Sequence, residues 1–561
     1  MKKIILAVAL GLGLIAGVTA KTRSSKSDIM RNLSIFTNVY KELQTSYVDT
    51  IDADKSMNVA ITAMLRNIDP YTEYYPADRT QDLTQLSTGQ YAGVGSIIMQ
   101  RDNKVVFSEP YWGAPARNAG IHYGDVIVAI DGDTLTDQST SGDASKRLKG
   151  SPGTDVNVTV SRVINGRDSI INMTLTRETI KINSLPYYGV VAPGVGYIKI
   201  DSFNDKTAGE FRKALLELIK NDKITSLVID LKGNGGGVLD AAVQIAGNFV
   251  PKGTTIVTTK GRNIEDEKSY KTTNKPVDLT MPLAVLIDGN SASASEILAG
   301  SLQDLDRAVI VGQRSYGKGL VQQSRPIAYD GMMKVTVSRY YIPSGRLIQA
   351  IDYSHRDEDG RPVRIADSLT RVFKTLNGRE VRDGGGITPD VKVDLPEGNR
   401  LMYNIVSDMW SWDFTNRYVN DHPTAPDVDT FVVDDTIFNA FKASIDPAKF
   451  KYDRASEEGI KYLRDAARIE GYDNDSVKAL IDKLEVMMRH DLNHDLDFNR
   501  KYIVELLDEE LSTRWYSDSD CVKRSIPTNE ELKQAINILA DQRQYGVLLS
   551  PRKDKDPAKT K

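Results

Sequence analysis

Residues Ala284 to Gln322 read AVLIDGNSASASEILAGSLQDLDRAVIVGQRSYGKGLVQ, and the rest of the chain is best read outward from them. The apolar run Ala284 to Ile287 predicts a buried strand, and Asp288-Gly289-Asn290 predicts a turn. From Ser291-Ala-Ser293-Ala-Ser295-Glu296 onward, Ile297, Leu298 and Leu302 recur at helical spacing, so the serines stand at a strand–turn–helix junction. The first helical N–H groups are unpaired at such a junction. Together with the positive end of the helix dipole they favour an anion, which is what an oxyanion needs. A second apolar strand, Ala308 to Val311, leads to Tyr316-Gly317-Lys318-Gly319. A serine-capped helix followed by a surface lysine would look the same. The histidines weigh against that plainer reading. The five are His122, His355, His422, His490 and His494, and none falls between Ser293 and Lys318. A serine nucleophile there needs another base, and a lysine serves where burial lowers its pKa toward neutrality.

The segment closely resembles the C-terminal processing, or tail-specific, proteases. In that family the middle serine of SASASE is the nucleophile and the lysine of the (F/Y)GKG motif is the base. The resemblance gives those roles to Ser293 and Lys318, which keep the family's spacing of 25 residues. The family's glutamine, four residues beyond the lysine, matches Gln322 and would orient the lysine amine. The fold so implied is α/β, with a crotonase/ClpP-like catalytic core, an inserted β-rich PDZ domain, and helical N-terminal and C-terminal regions.

Upstream, the chain from residue 195 alternates strands and helices. Gly196 to Ile200 reads as a strand, and Thr207-Ala-Gly-Glu210 as a capping box for a helix carrying Phe211, Leu215, Leu218 and Ile219 on one face. Leu227 to Leu231 is a strand that ends at Gly233-Asn-Gly235-Gly236-Gly237, before a helix holding Ala241, Ala242, Ile245 and Ala246. Such glycines make a tight turn, or let backbone N–H groups approach a ligand. The run resembles the family's LRxNxGG segment, with Lys232 in place of arginine. The resemblance implies an oxyanion hole made by the N–H groups of Gly236, or its neighbour Gly237, and Ala294.

Residues 86 to 180 read as short strands with one or two short helices. The landmarks are Tyr91-Ala-Gly93-Val94-Gly95-Ser96, Ala119-Gly120-Ile121 leading to Gly124-Asp125, and turns at Asp131-Gly132 and Asn165-Gly166. Their order resembles the PDZ domain inserted in these proteases. Gly93, Val94, Gly95 and Ser96 would then be the carboxylate-binding loop, and the following strand would pair with a peptide. His122 reads as a surface residue. Residues 21 to 85 predict helices, with apolar positions such as Ile35, Val39 and Leu43, then Met57, Ile61 and Met64. Residues 1 to 20 have the pattern of a secretory signal: basic Lys2-Lys3, apolar Ile4 to Val18, and small residues at Val18-Thr19-Ala20. The expectation is export to the periplasm or cell envelope, with either a cleaved leader or, the run being near the short limit, a retained anchor.

Downstream, Met333 to Tyr341 alternates as a strand, and Tyr340-Tyr341-Ile342-Pro343-Ser344-Gly345-Arg346 matches the family's YY-x-P-S-G-R run. Residues 350 to 385 depart from the simplest members and predict a long loop or β-ribbon. The catalytic core is expected to close near residue 395. Residues 396 to 561 predict helices, from Ile460, Leu463 and Ala467 and from Val477, Leu480, Ile481 and Leu484, with a disordered basic tail from Arg552. His490 and His494 stand four apart, as zinc ligands can, but no third ligand is evident, and Asp491 to Asp495 lacks the glycine and glutamate of a calcium loop.

Composition excludes little. The chain has 561 residues, 40% hydrophobic and 26% charged, with a net charge of −4, so nothing points to nucleic acid. A single cysteine, Cys521, rules out an intrachain disulfide. Gly312 to Gly319 nearly fits a phosphate loop, but Gly319 replaces the metal-binding hydroxyl and Pro326 and its neighbours do not continue as a helix. The resemblance implies a serine endopeptidase that cleaves proteins near their C-termini and needs neither metal nor organic cofactor. Its partners would be protein or peptide substrates with free C-termini, and a homo-oligomer or adaptor protein is left open. The alternative is a non-proteolytic, PDZ-based binding scaffold on a protease-like fold, against which the intact serine, lysine and glutamine argue.

Overall fold

A sheet of almost continuous apolar runs carries the site. In the computed structural model, which describes residues 25–394, 400–452 and 454–551, its strands run in the order Tyr188–Ala192, Val195–Lys199, Ser226–Asp230, Leu283–Ile287, Val309–Gly312 and Val391–Lys392. The first pair is antiparallel and the rest are parallel. Parallel strands are buried on both faces, which is why they read as runs rather than as alternation. On one face Leu227, Ile229, Leu283, Val285, Ile287 and Ile310 pack with the helices Thr207–Lys220, Leu239–Ala246 and Ala294–Asp304.

The other face is closed by the C-terminal region. Val228, Ala284, Leu286, Val309 and Val311 pack with Leu532, Ala535, Ile538 and Leu539 of the helix Glu530–Ala540. Leu532 and Ile538 are fully buried, each worth roughly 2 kcal/mol of apolar transfer. Asn529 caps this helix by accepting the Leu532 N–H at 3.0 Å, and Lys232 Nζ reaches both Asn529 Oδ1 (3.0 Å) and Glu531 Oε2 (2.9 Å). The lysine that departs from the family's arginine thus ties the glycine turn to the C-terminal helix.

A second sheet holds Thr255–Gly261 between Lys268–Lys271 and Met332–Tyr341, and the last of these also pairs with Leu320–Pro326. The PDZ strands Ser96–Arg101, Lys104–Pro110, Val126–Ile130, Asp155–Ile164 and Arg167–Thr176 form a sheet of their own over Phe107, Ile121, Val156 and Val160. Both expected hairpin turns are two-residue loops with positive φ throughout, Asp131 (51°) with Gly132 (85°) and Asn165 (48°) with Gly166 (73°), the type I′ geometry.

The described chain divides between Tyr74 and Tyr75 into two units. The first contains the helices Lys26–Ser46 and Ala53–Arg66, started by the side-chain caps Ser25 and Asp52. The leader at 1–20 and the tail from Arg552 fall outside the described residues. Among those described, no helix is long and apolar enough to cross a membrane.

Two expectations are corrected. The capping box at Thr207 does not form. Thr207 is already helical, its hydroxyl takes the Asn204 N–H (2.9 Å), and Glu210 accepts from Ser184 Oγ (2.8 Å) instead of reaching back. A tertiary partner outcompeted the local one. His122 is not a free surface residue. Its Nδ1 lies 2.7 Å from Asn420 Oδ1 on the C-terminal helix Trp410–Asp421, and burial, with Arg162 nearby, lowers its pKa. Sequence order gives no hint that this helix docks on the PDZ domain, where Arg101 also pairs with Asp413. Residues 350 to 385 form a β-ribbon of two hairpins, Ile351–Arg356 with Pro362–Arg364 and Val372–Lys374 with Glu380–Arg382. Arg379 anchors it through Asp306 (2.5 Å) and Asp390 (2.6 Å).

Candidate active site

Ser293 stands where the strand Leu283–Ile287 turns into the helix Ala294–Asp304, with φ +56° and ψ −112°. That is an unfavourable conformation for a side-chain-bearing residue, costing about 1–3 kcal/mol, and it persists only where neighbours hold it. The flanking serines do so. Ser291 Oγ donates to Leu231 O (2.8 Å), Ser295 Oγ to Asn234 O (2.9 Å), and the Ala292 N–H also to Asn234 O (3.0 Å). All three bonds fasten the glycine turn beside Ser293.

Gly236 (φ +103°) is the point of contact. A methyl group there would stand 2.8 Å from Ser293 Cβ and 2.9 Å from the Ala294 nitrogen, so no side chain fits. The two intended oxyanion donors differ. Among the described residues no acceptor takes the Ala294 N–H. The Gly236 N–H is donated to Asn234 Oδ1 at 2.8 Å, and Asn234 is itself fixed by donating Nδ2 to Ile200 O (2.8 Å).

Lys318, half-buried, lies between Gly317 and Gly319 on the loop before the strand Leu320–Pro326. No helix follows it, in keeping with the rejection of a phosphate loop. Two buried side chains bind its backbone to that of Ser293. Glu296, with no exposed surface, accepts the N–H groups of Ser293 (2.9 Å) and Lys318 (2.9 Å) on Oε2, and the Gly317 N–H (2.7 Å) and Ser315 hydroxyl (2.5 Å) on Oε1. Tyr340, from the neighbouring strand, brings its hydroxyl to Lys318 O (2.6 Å) and Ser293 O (3.2 Å). One side chain gathers N–H groups and the other carbonyls, so the two residues are held by both edges of the main chain.

Glu296 is a carboxylate held where it is poorly solvated. Burial pushes its pKa up to about 7, against four hydrogen bonds that favour the charge. Its motif could have suggested it, since a glutamate three residues after a helix-opening serine is the capping-box position. That its other oxygen reaches Ser315 and Gly317 was not legible, and neither was the Tyr340 hydroxyl. Gln322 donates its amide to Thr336 Oγ1 (3.2 Å) across the strand pair Leu320–Pro326 and Met332–Tyr341.

In the PDZ domain, Val94 is buried, its carbonyl taking the Ala116 N–H (2.8 Å), and the Gly95 carbonyl takes the Tyr111 N–H (3.0 Å). Burial raises the pKa of the Tyr91 phenol, just before this loop. Beside this loop opens a groove of about 970 Å³. Its walls are the strand from Ser96 to Ile98, the helix Ser141–Leu148, and the segment from Ala77 to Gln85 that precedes the domain.

His490 and His494 do not converge on a metal site. His490 bonds Asp495 Oδ2 through Nδ1 (2.7 Å) and Ser456 Oγ through Nε2 (2.6 Å).

The family model Peptidase family S41 matches residues 194–354, PDZ domain matches 93–175, and "Probable PDZ-protease, C-terminal helical domain" matches 401–539. A carboxy-terminal-processing protease of Bartonella bacilliformis is 34% identical over 359 residues, covering 63% of this chain and 81% of the relative. A "Probable CtpA-like serine protease" of Staphylococcus aureus is 28% identical over 451 residues, 78% of each chain. Among solved structures, the photosystem II D1 C-terminal processing protease is 26% identical with a TM-score of 0.37, covering 65% of this chain and 88% of the other. The Peptidase family S41 match and the Bartonella bacilliformis relative define a serine-type peptidase. The chain belongs to peptidase family S41, among the carboxy-terminal-processing proteases that carry a PDZ domain.

Proposed function

We propose that this chain cleaves polypeptides near their C-termini through a Ser293–Lys318 dyad, with the tail bound by the PDZ groove. The observation that carries this reading is the double clamp, Glu296 on the N–H side and Tyr340 on the carbonyl side, joining the backbones of Ser293 and Lys318. Proximity held in this way is what general-base activation of a weak nucleophile requires. In the proposed cycle the neutral Lys318 amine takes the Ser293 proton as Oγ attacks the scissile carbonyl. The oxyanion is met by the Ala294 N–H and by the Gly236 N–H, which must exchange its bond to Asn234 for the new one. Collapse expels the amine, protonated by Lys318, and leaves an acyl-enzyme that a Lys318-activated water hydrolyses. Gln322 orients the lysine in this reading, and Gly93 to Ser96 take the tail. Export to the periplasm or cell envelope belongs to the same proposal, on the strength of Lys2-Lys3 and the apolar run after them. Cell fractionation tests that part.

The central test is to incubate the purified protein with an unfolded protein and sequence the products. Cuts clustered toward the substrate's C-terminus are expected. Absence of cleavage, or cleavage undiminished in Ser293→Ala, would overturn the dyad.

A further inference from the structure

The groove beside the PDZ loop is bounded on one side by a segment from outside the domain, and that segment brings carboxylates. Asp78 pairs with Lys146 at 2.6 Å and Asp82 with Lys149 at 2.7 Å, both lysines belonging to the end of the groove helix Ser141–Leu148 or the residue after it. Lys149 stands next to the loop expected to hold a terminal carboxylate. The N–H of its neighbour Gly150 reaches Ala92 O (3.4 Å), and a methyl group on Gly93 would lie 3.6 Å from Leu148 O. The Lys149 ammonium lies 5.8 Å from the centre of the Tyr91 ring, which immediately precedes that loop in the chain. A cation beside a cradle of backbone N–H groups is a site for a carboxylate. In the free chain the carboxylate there is Asp82.

We propose that Lys149 is the cation that takes a substrate's terminal carboxylate, and that Asp82 occupies it until a tail arrives. The inference rests on the tail-reading role given to the groove above and adds the residue that selects for the free acid. The exchange is feasible because the pair is partly solvated, with side-chain exposures of 28% for Lys149 and 34% for Asp82, so the internal bond is weak. Asp82 has a second cation to fall back on, Arg79, whose Nε is 3.4 Å away.

The test uses the full chain carrying Ser293→Ala, so that binding is measured without cleavage. The probe is a fluorescein-labelled decapeptide ending in alanine, as free acid and as amide, read by anisotropy. Asp82→Asn removes the internal competitor and should tighten the acid roughly fivefold while leaving the amide unchanged, since a partly exposed ion pair has about that weight. Lys149→Gln should abolish the preference for the acid, and Lys149→Arg should restore it. Asp78→Asn should change acid and amide alike. An acid preference that survives Lys149→Gln, or an Asp82→Asn variant that binds the acid no tighter, overturns this inference alone. Equal binding of acid and amide by every variant overturns the tail-reading role and this inference together.

Discussion

Two serines of this chain sit in hydrogen-bonded constellations, and the one that looks more like a hydrolase is the one with less to support it. Ser456, on the first turn of the helix Ala455–Ile469, bonds His490, which bonds Asp495, and Tyr452 also donates its hydroxyl to Asp495. In order and distance that is a serine–histidine–aspartate relay. Ser293 has no histidine at all. The backbone separates them. Ser293 is held at φ +56°, while Ser456 is an ordinary helical residue. Among the described residues the N–H after Ser293 meets no acceptor, whereas Glu457, after Ser456, gives its N–H to Arg454 O at 3.1 Å. With that N–H already taken, an oxyanion at Ser456 would find no prepared donor beside it. A relay takes only three side chains that meet. An acyl-transfer site also takes an unpaired donor next to the nucleophile and a main chain fixed against strain.

The contrast breaks most cleanly at the proposed nucleophile. Ser293→Ala and Lys318→Ala should each lower kcat/KM for an unfolded protein substrate by about 10⁴-fold or more, since each member of such a pair acts only with the other. Circular dichroism should show both variants folded. Residual activity within tenfold of wild type in either would leave the dyad without support. Because a lysine base works only when neutral, the wild-type rate should also rise with pH through neutrality. A rate that peaks in acid would contradict it.

The next effect belongs to Glu296. Glu296→Gln keeps the shape but turns two acceptors into one acceptor and a donor facing N–H groups, so the dyad should loosen and kcat fall about 100-fold. The variant has a second signature. The folded state raises the Glu296 pKa from 4.5 to about 7, so it binds that proton more tightly than the unfolded chain does. Stability from this proton is fully present below about pH 4.5 and is lost as pH rises through about 7. At about 1.4 kcal/mol per pH unit, the stability of wild type relative to Glu296→Gln should fall by about 3 kcal/mol across that window. Denaturant titration at several pH values measures it, and a flat difference would show that Glu296 titrates as in water. Tyr340→Phe removes the carbonyl clamp alone and should cost about tenfold in kcat, because the N–H clamp remains.

How far the sequence led depends on whether the partners are local. The strand–turn–helix setting of Ser293, the glycine turn and the two NG- and DG-type hairpins were legible because turn chemistry acts over a few residues. Ser291 and Ser295 were visible only as spelling, and their bonds to Leu231 and Asn234 span about sixty residues. The docking of Leu532 and Ile538 under the catalytic sheet was not legible. An amphipathic helix announces that it has an apolar face and says nothing about which surface will cover it. Thr207 shows the same limit from the other side, where a correct local signal lost to Ser184.

The smallest expected effect is the one that sharpens the comparison. Ser456→Ala and His490→Ala should leave kcat/KM for the protein substrate within about twofold of wild type, since surface substitutions away from special features rarely matter. A null result of that kind would be weak if Ser456 served a different substrate, so the second measurement uses an activated ester. In a Ser293→Ala background, hydrolysis of p-nitrophenyl acetate should be equal with and without Ser456→Ala. The relay can deprotonate the hydroxyl, but the developing oxyanion would find the Glu457 N–H already donated. His490 is 24% exposed and Asp495 15%, so water also screens what field remains. A tenfold loss of ester hydrolysis on Ser456→Ala would show that three meeting side chains suffice without a free donor, and the distinction drawn between the two serines would fail.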